Sequence, residues 1–132
     1  MTIAEVSAKY GMTADTLRYY ERIGLLPPVP RSAGGIRDYG EKECGWIEFV
    51  KCMRGAGLPI EALTEYASLC RRGDETAQAR LDLLTEQRAQ MTRRAEKIDE
   101  CLKRLDYKIN EYYSKILPAE RKIAGAADTA RD

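Results

Sequence analysis

A mainly α fold is what this sequence predicts: a winged helix-turn-helix with a small β-hairpin wing, followed by a long C-terminal dimerisation coiled-coil helix. Three observations predict it. Two short stretches each open on a threonine cap and close on a glycine, a Gly-rich turn flanked by arginines follows them, and apolar residues then recur every three or four positions over residues 77–116.

Thr2 and Glu5 have the S/T-x-x-E spacing of a capping box, which predicts a first helix from about Ile3 to Tyr10. Gly11 supplies a left-handed stop, Thr13 caps a second helix ending about Ile23, and Gly24 closes it. Ile3, Val6, Leu17 and Tyr20 supply their shared core. Past Pro27 and Pro28, two short extended runs surround Ser32-Ala33-Gly34-Gly35, where paired glycines accept the positive φ of a tight turn. This predicts the β-hairpin wing, with Arg31 and Arg37 projecting from its flanks. A third helix is expected from about Glu41 to Gly55, its apolar side broadened by Trp46, Ile47, Phe49, Val50 and Met53. Pro59 suits the first turn of a fourth, holding Ile60, Leu63, Tyr66 and Leu69, and Gly73 ends it.

From residue 74 no glycine or proline intervenes until Pro118, and the apolar positions fall in two columns. Ala77, Leu84, Met91, Ile98, Leu105 and Tyr112 form one; Leu81, Ala95, Leu102, Ile109 and Ile116, with Arg88 as the exception, form the other. At ~1.5 Å per residue this heptad seam predicts a helix of roughly 60 Å, too long for the preceding domain to cover, so it calls for a second copy. Arg88 in the seam costs stability and helps fix register. The expected division is a DNA-binding domain over 1–73, a dimerisation helix over 74–117 and a flexible tail over 118–132, small and polar in composition.

The 132 residues suit one small domain with an extension, and 44% are apolar. Twenty-two basic residues balance 21 acidic ones to a net charge of +1, so global charge makes no case for nucleic acid; only local distribution can. No apolar run approaches the ~18 residues of a membrane span, and the opening residues lack the basic-then-apolar order of a signal peptide. A cytoplasmic protein is expected, without membrane contact, and its four cysteines are expected to be thiols. With no histidine, no phosphate-cradling GxxxxGK[ST] loop and no cysteine spacing of a zinc site, the sequence predicts no enzyme, no metal and no cofactor.

Two short helices joined through a glycine turn place the second where its outer face can enter a major groove. Thr16, Arg18 and Tyr19 are its candidate readers. Arginine offers two parallel donors to guanine or phosphate, whereas threonine and tyrosine hydroxyls more often fix position on the backbone. An exposed helical arginine is by itself only a solvated one. The basic wing, with Arg31, Arg37 and Tyr39, turns the balance, because a wing against phosphates explains local basic residues on a neutral chain.

Several runs together resemble the MerR family of transcriptional regulators: TLRYYERIGLL, the wing ending in IRDY, WIEFVKCMRGAGLPIEAL and the terminal coiled-coil helix, in that order over about residues 1–116. The KCMR run at Cys52 and the GDET run at 73–76 are most similar to the aldehyde- and nitrosative-stress-responsive subgroup of the AdhR and NmlR type. The resemblance implies an antiparallel homodimer that sets two recognition helices on successive major grooves of a pseudo-palindromic promoter. It further implies that the dimer bends and untwists the spacer DNA until RNA polymerase engages it. By the same resemblance Arg18 and Tyr19 are recognition-helix contacts, and Arg37 and Tyr39 wing contacts to phosphate.

Metal-sensing members carry cysteines near the start of the dimer helix and in a loop after it, whereas here only Cys101 lies on that helix and no cysteine follows it. Drug-sensing members append a ligand domain for which the residues after Ile116 are too few. A thiol remains. Lys51 and Arg54 flank Cys52, and nearby positive charge raises thiolate population, so Cys52 is the candidate sensor of a small electrophile. The resemblance points to the same residue. A packing role is the plain alternative for Cys52; Cys44, near a helix start, is the second candidate, and Cys70 and Cys101 read as packing residues. The competing function is a coiled-coil protein-interaction adaptor without inducer sensing, for which the long seam alone would serve.

Overall fold

The computed structural model describes the backbone of residues 1–131 and the side chains of residues 1–125. Helices α1 (Ile3–Tyr10), α2 (Ala14–Arg22), α3 (Glu41–Gly55), α4 (Ile60–Arg71), α5 (Ala77–Asn110) and α6 (Leu117–Arg131) account for most of the chain. A single 3-10 turn, Asp74–Thr76, precedes α5, and a wide π turn, Tyr112–Ile116, precedes α6. The residues divide into two compact units, Met1–Met91 and the chain from Thr92 onward.

Capping explains the first two helices. Thr2 accepts from the Glu5 amide at 3.2 Å while the Glu5 carboxylate accepts from the Thr2 amide at 3.0 Å, and these bonds hold the Glu5 carboxyl below its ordinary pKa. Gly11 takes φ +65 at the end of α1, and Thr13 accepts from the Thr16 amide at 3.1 Å at the start of α2. Gly24, at φ +82, holds a left-handed turn that side chains rarely adopt, and a Cβ there would stand 2.9 Å from Nη2 of Arg71, whose flexible end would have to shift. Arg71 in turn donates to the Gly24 carbonyl at 2.9 Å, tying α4 to the turn after α2.

The first unit's core is built from Val6, Tyr10, Leu17, Leu25, Leu26, Val29, Tyr39, Ile47, Val50, Leu58 and Leu63. Ile3 and Tyr20 pack at its margin, as does Met91 of α5, which is why this unit runs past residue 73. Glu43 is a buried carboxylate that accepts from the Gly40 amide at 2.9 Å and so caps α3, whose cap residue has no side chain. Buried Thr76 acts similarly at the other end of the unit, bonding the carbonyls of Leu69 and Gly73.

Three expectations need correction. The β-hairpin wing reduces to one antiparallel bridge between Arg31 and Arg37, supported by Ser32 N–H to Ile36 O and Asp38 N–H to Pro30 O, both 2.7 Å. Pro27, Pro28 and Pro30 lack amide donors and Ser32-Ala33-Gly34-Gly35 is spent on the turn, so the flanks are too short for strands. Tyr39 does not project from this wing; it is 1% exposed, in the core. Nor does the heptad helix run unbroken to Ile116. α5 stops at Asn110, and in the π turn that follows the Ile116 amide reaches back to Glu111 O at 3.2 Å, so the ladder changes period before Pro118 enters the first turn of α6.

Beyond that turn, residues 118–125 are helical within α6 where composition pointed to a flexible tail; the side chains of 126–132 lie outside the described residues. In the second unit Tyr112 is held protonated above its usual pKa by a hydrogen bond to Glu120, and Lys108 lies 3.9 Å from the same carboxylate.

The Tyr39 hydroxyl has no hydrogen-bond partner among the described residues, and such burial costs about 1–3 kcal/mol. Tyr39→Phe is therefore expected to raise stability by about 1 kcal/mol in urea unfolding, whereas Tyr39→Ala loses about 3–5 kcal/mol. A destabilised Phe variant would contradict this account of the core.

Candidate nucleic-acid interface

Leu17 is wholly buried, and its position sets the rest of α2. At ~100° per residue, Arg18 and Glu21 fall on one flank of the inward line, Thr16 and Tyr20 on the other, and Tyr19 points away. Accordingly Arg18 is exposed, Tyr19 is 42% exposed, and Thr16, Tyr20 and Glu21 are half-buried.

The outward groups are loosely held. Arg18 Nη1 donates to Asp15 at 3.2 Å in an exposed pair, which is worth little and readily exchanged for another anion. The Arg22 guanidinium lies 5.3 Å from the centre of the Tyr19 ring, within cation–π range, and stiffens an otherwise solvent-facing phenol. Thr16 accepts from the Thr13 hydroxyl at 2.8 Å.

Towards the wing the organising group is Glu21, which sequence reasoning missed. Its carboxylate accepts from Arg37 Nε at 2.9 Å and from the Val29 amide at 3.4 Å, so one side chain of α2 fixes both ends of the wing segment. The pair is largely shielded, with side-chain exposures of 24% for Arg37 and 18% for Glu21. The only signal in the sequence was an acid placed among the tyrosines and arginines at the end of α2. Arg31 stays exposed and donates to the Gly35 carbonyl at 2.9 Å, closing the turn on itself.

Of the expected contacts, Thr16, Arg18 and Tyr19 thus share α2, and Arg37 is joined to that helix through Glu21. Arg31 sits further out on the turn. Tyr39 lies beneath them; burial first, and the Glu21 charge second among the raising causes, push its phenol above the ordinary pKa, with Arg37 and Arg18 opposing. A phosphate could not meet it without repacking of the core.

Cys52 is exposed, on the last turns of α3, with its thiol free. It is therefore no packing residue in this unit. Cys44 is half-buried against the core beside Tyr10, whose hydroxyl donates to Glu48 at 3.2 Å. Burial first, and then Cys44 and Glu48, push the Tyr10 phenol up to about 12. Cys70 is half-buried next to Tyr66, and Cys101, expected to pack, is exposed on α5. Among the described residues no group of three or more His, Cys, Asp or Glu side chains is placed to hold a metal, and no helix is long and apolar enough to cross a membrane.

Known proteins share this arrangement. Residues 1–69 match the family described as MerR HTH family regulatory protein. The HTH-type transcriptional regulator AdhR of Bacillus subtilis is 56% identical over 91 residues, covering 69% of this chain and 65% of AdhR, just under two thirds of that protein's length. A MerR family transcriptional regulator of Listeria monocytogenes has a crystal structure that matches with TM-score 0.83 at 43% identity, over 100% of this chain and 99% of the other. HiNmlR, a MerR family regulator lacking the sensor domain and bound to promoter DNA in its crystal structure, matches with TM-score 0.78 at 30% identity, over 85% and 89% of the two chains. These relatives are transcriptional regulators, not enzymes.

If Glu21 joins the wing to α2 as described, Glu21→Ala should speed hydrogen exchange at the Val29 amide, while Glu21→Gln, which keeps an acceptor oxygen, should change it less. Equal exchange in all three proteins would show that the wing is held by other contacts.

Proposed function

The chain belongs to the MerR family of HTH regulators, and we propose that it is a DNA-binding transcriptional regulator that acts as a homodimer on a pseudo-palindromic promoter and works by distorting the spacer DNA. Residues 1–73 form the DNA-binding part in this reading, and 74–117 the dimerisation part. Arg18 and Tyr19, with Thr16, meet the major groove, and Arg31 and Arg37 meet phosphates from the wing. The observation that carries the reading is the outward face of α2, where Arg18 and Tyr19 stand exposed above a buried Leu17.

The dimer is supported by apolar side chains that nothing covers within the second unit. Ile98, Leu102, Leu105 and Ile109 of α5 are each more than half exposed, Ile109 at 69%. Burying one such side chain is worth about 1.5–3 kcal/mol, so a matching helix from a second copy would gain from the whole row. A dimer fixes the distance between two recognition helices, and a fixed distance is what lets protein bind DNA by deforming it. RNA polymerase is the partner that would read the deformation.

The inducer belongs to the thiol-reactive electrophiles, aldehydes or nitrosating agents, and Cys52 is the sensor. Two features support this: the exposed thiol follows Lys51 directly, and its KCMR run resembles the aldehyde- and nitrosative-stress-responsive subgroup. An adduct there would change the charge and bulk of the end of α3.

Two outcomes are expected. Leu102→Glu should shift the protein from dimer to monomer in sedimentation equilibrium, and a monomeric wild type would remove the basis of the promoter geometry. In reporter assays with an aldehyde, Cys52→Ala should lose induction while Cys101→Ala keeps it; retained induction in Cys52→Ala would refute the sensor assignment.

A further inference from the structure

Three aromatic rings on α3 and α4 belong neither to the DNA-binding surface nor to the closed core. Trp46 and Phe49 pack at the core's margin with Tyr66 against them, all half-buried, the ring centres 6.3, 5.9 and 6.0 Å apart. With Lys42 and Gly45 they line a recess of about 300 Å³. We propose that this recess is a binding site for a small aromatic carboxylate, its ring against the three aromatic side chains and its carboxylate at the Lys42 ammonium. Cys52 does not line the recess, so the proposal goes beyond the electrophile reading and stands without it.

A glycine keeps the recess open. Gly45 lies inside α3, where glycine costs about 1 kcal/mol relative to alanine. Neither usual reason for a glycine applies to it: its φ is not positive, and a Cβ built there meets no atom within 4 Å. The missing side chain leaves empty space on the wall of the recess. Any larger residue at 45 would occupy volume that a ligand can now take.

Charge and size select the ligand. Lys42 makes no ion pair among the described residues, and no acid among them lines the recess. A second recess, of about 210 Å³, shares Lys42 and Trp46 and adds Arg71, which spends Nη1 on the Gly24 carbonyl at 2.9 Å. Two cations therefore lie around the Trp46 ring without an acid in either lining. Bare aromatic faces would attract an organic cation, but the Lys42 ammonium repels one and attracts a carboxylate. Burial first, and Cys70 second, hold the Tyr66 phenol above its ordinary pKa, so it meets that carboxylate as a neutral group. A flat ring suits the wall, since aromatic pairs gain beyond the area they bury, and ~300 Å³ is the small end of ligand pockets, enough for one ring.

A ligand held there touches two helices at once. Lys42, Trp46 and Phe49 belong to α3 and Tyr66 to α4, and α4 ends at Arg71, just before the Asp74–Thr76 turn that opens α5. Occupancy would tie the packing of α3 on α4 to the presence of a small metabolite. That is a non-covalent input, on the helix that also carries the Cys52 thiol.

Trp46 is the sole tryptophan of the chain, so its fluorescence reports on this recess directly. The full chain is titrated with benzoate, with acetate as the charge without the ring and benzylamine as the ring with the opposite charge. Benzoate should change Trp46 emission saturably, and neither control should do so at the same concentrations. Lys42→Gln should weaken benzoate about tenfold, the scale of one charged hydrogen bond, whereas Lys9→Gln, which removes an equal charge from α1, should not. Gly45→Leu should abolish the response with a thermal midpoint no lower than the wild type's, because leucine suits a helix better than glycine. An equal response to acetate would make the recess a bare anion site, and benzylamine binding as tightly as benzoate would make it an unselective apolar patch; either overturns the proposal. So does a benzoate response that survives in both Lys42→Gln and Gly45→Leu, or a wild type that gives none. Emission that ignores benzoate but shifts when the protein is diluted would show that a second copy covers the recess, and would reject the ligand. DNA binding enters none of these readouts, so the outcome is independent of the promoter reading.

Discussion

The burial of Leu17 is the constraint on which the DNA-binding surface depends. α2 has nine residues, little more than two turns, and Leu17 is the one that disappears completely into the core. With that side chain held inward, helical geometry leaves no freedom over which neighbours face out. Tyr19 is outward and Arg18 beside it, and two flanks remain for α2 to be fastened to the rest of the unit. So short a helix would not persist alone in water; its order is borrowed from the core through Leu17 and from Thr13 at its first turn.

Charge is distributed to suit that geometry. A net charge of +1 leaves no general attraction for a polyanion, so affinity must be concentrated where cations are collected and acids kept away. Glu21 is an acid next to that surface, and it is the exception that makes the wing usable. A short turn with three prolines near its start and two glycines at its tip has little structure of its own. By accepting from both the Val29 amide and Arg37, Glu21 exchanges some positive potential for a fixed guanidinium. Fixed donors lose less entropy when they meet phosphate than free ones do.

Much of this was legible in the sequence because it is local. The Thr2/Glu5 capping box, the Thr13 cap and the left-handed glycines at 11 and 24 act within a few residues, and all are seen as expected. What escaped is long-range or depends on one absent atom. Tyr39 reads as a wing residue from its neighbours, but Met1, Val6 and α3 decide its place: its amide donates to Met1 O at 2.8 Å and its ring joins their core. The Glu21 bonds span eight and sixteen residues. The wing's shortfall follows from amides that prolines lack, and the break after Asn110 lies in the backbone hydrogen bonding, which heptad counting, a weighing of side chains, does not register.

The second unit raises a different question, namely what an exposed row of large aliphatic residues is for. Scattered apolar side chains on a surface need no explanation, but Ile98, Leu102, Leu105 and Ile109 are spaced by four, three and four along one helix. That spacing puts them in one stripe, and the stripe continues both columns, the one that holds Leu84 and Met91 and the one that holds Leu81. At Met91 the column meets its own core, while past Thr92 it has no core to meet within its unit. The same sequence pattern therefore serves two ends, attachment first and then display. A helix that displays such a stripe gains stability only when covered, and mutual cover between two copies would make the long helix and the pairing of two DNA-binding units one event.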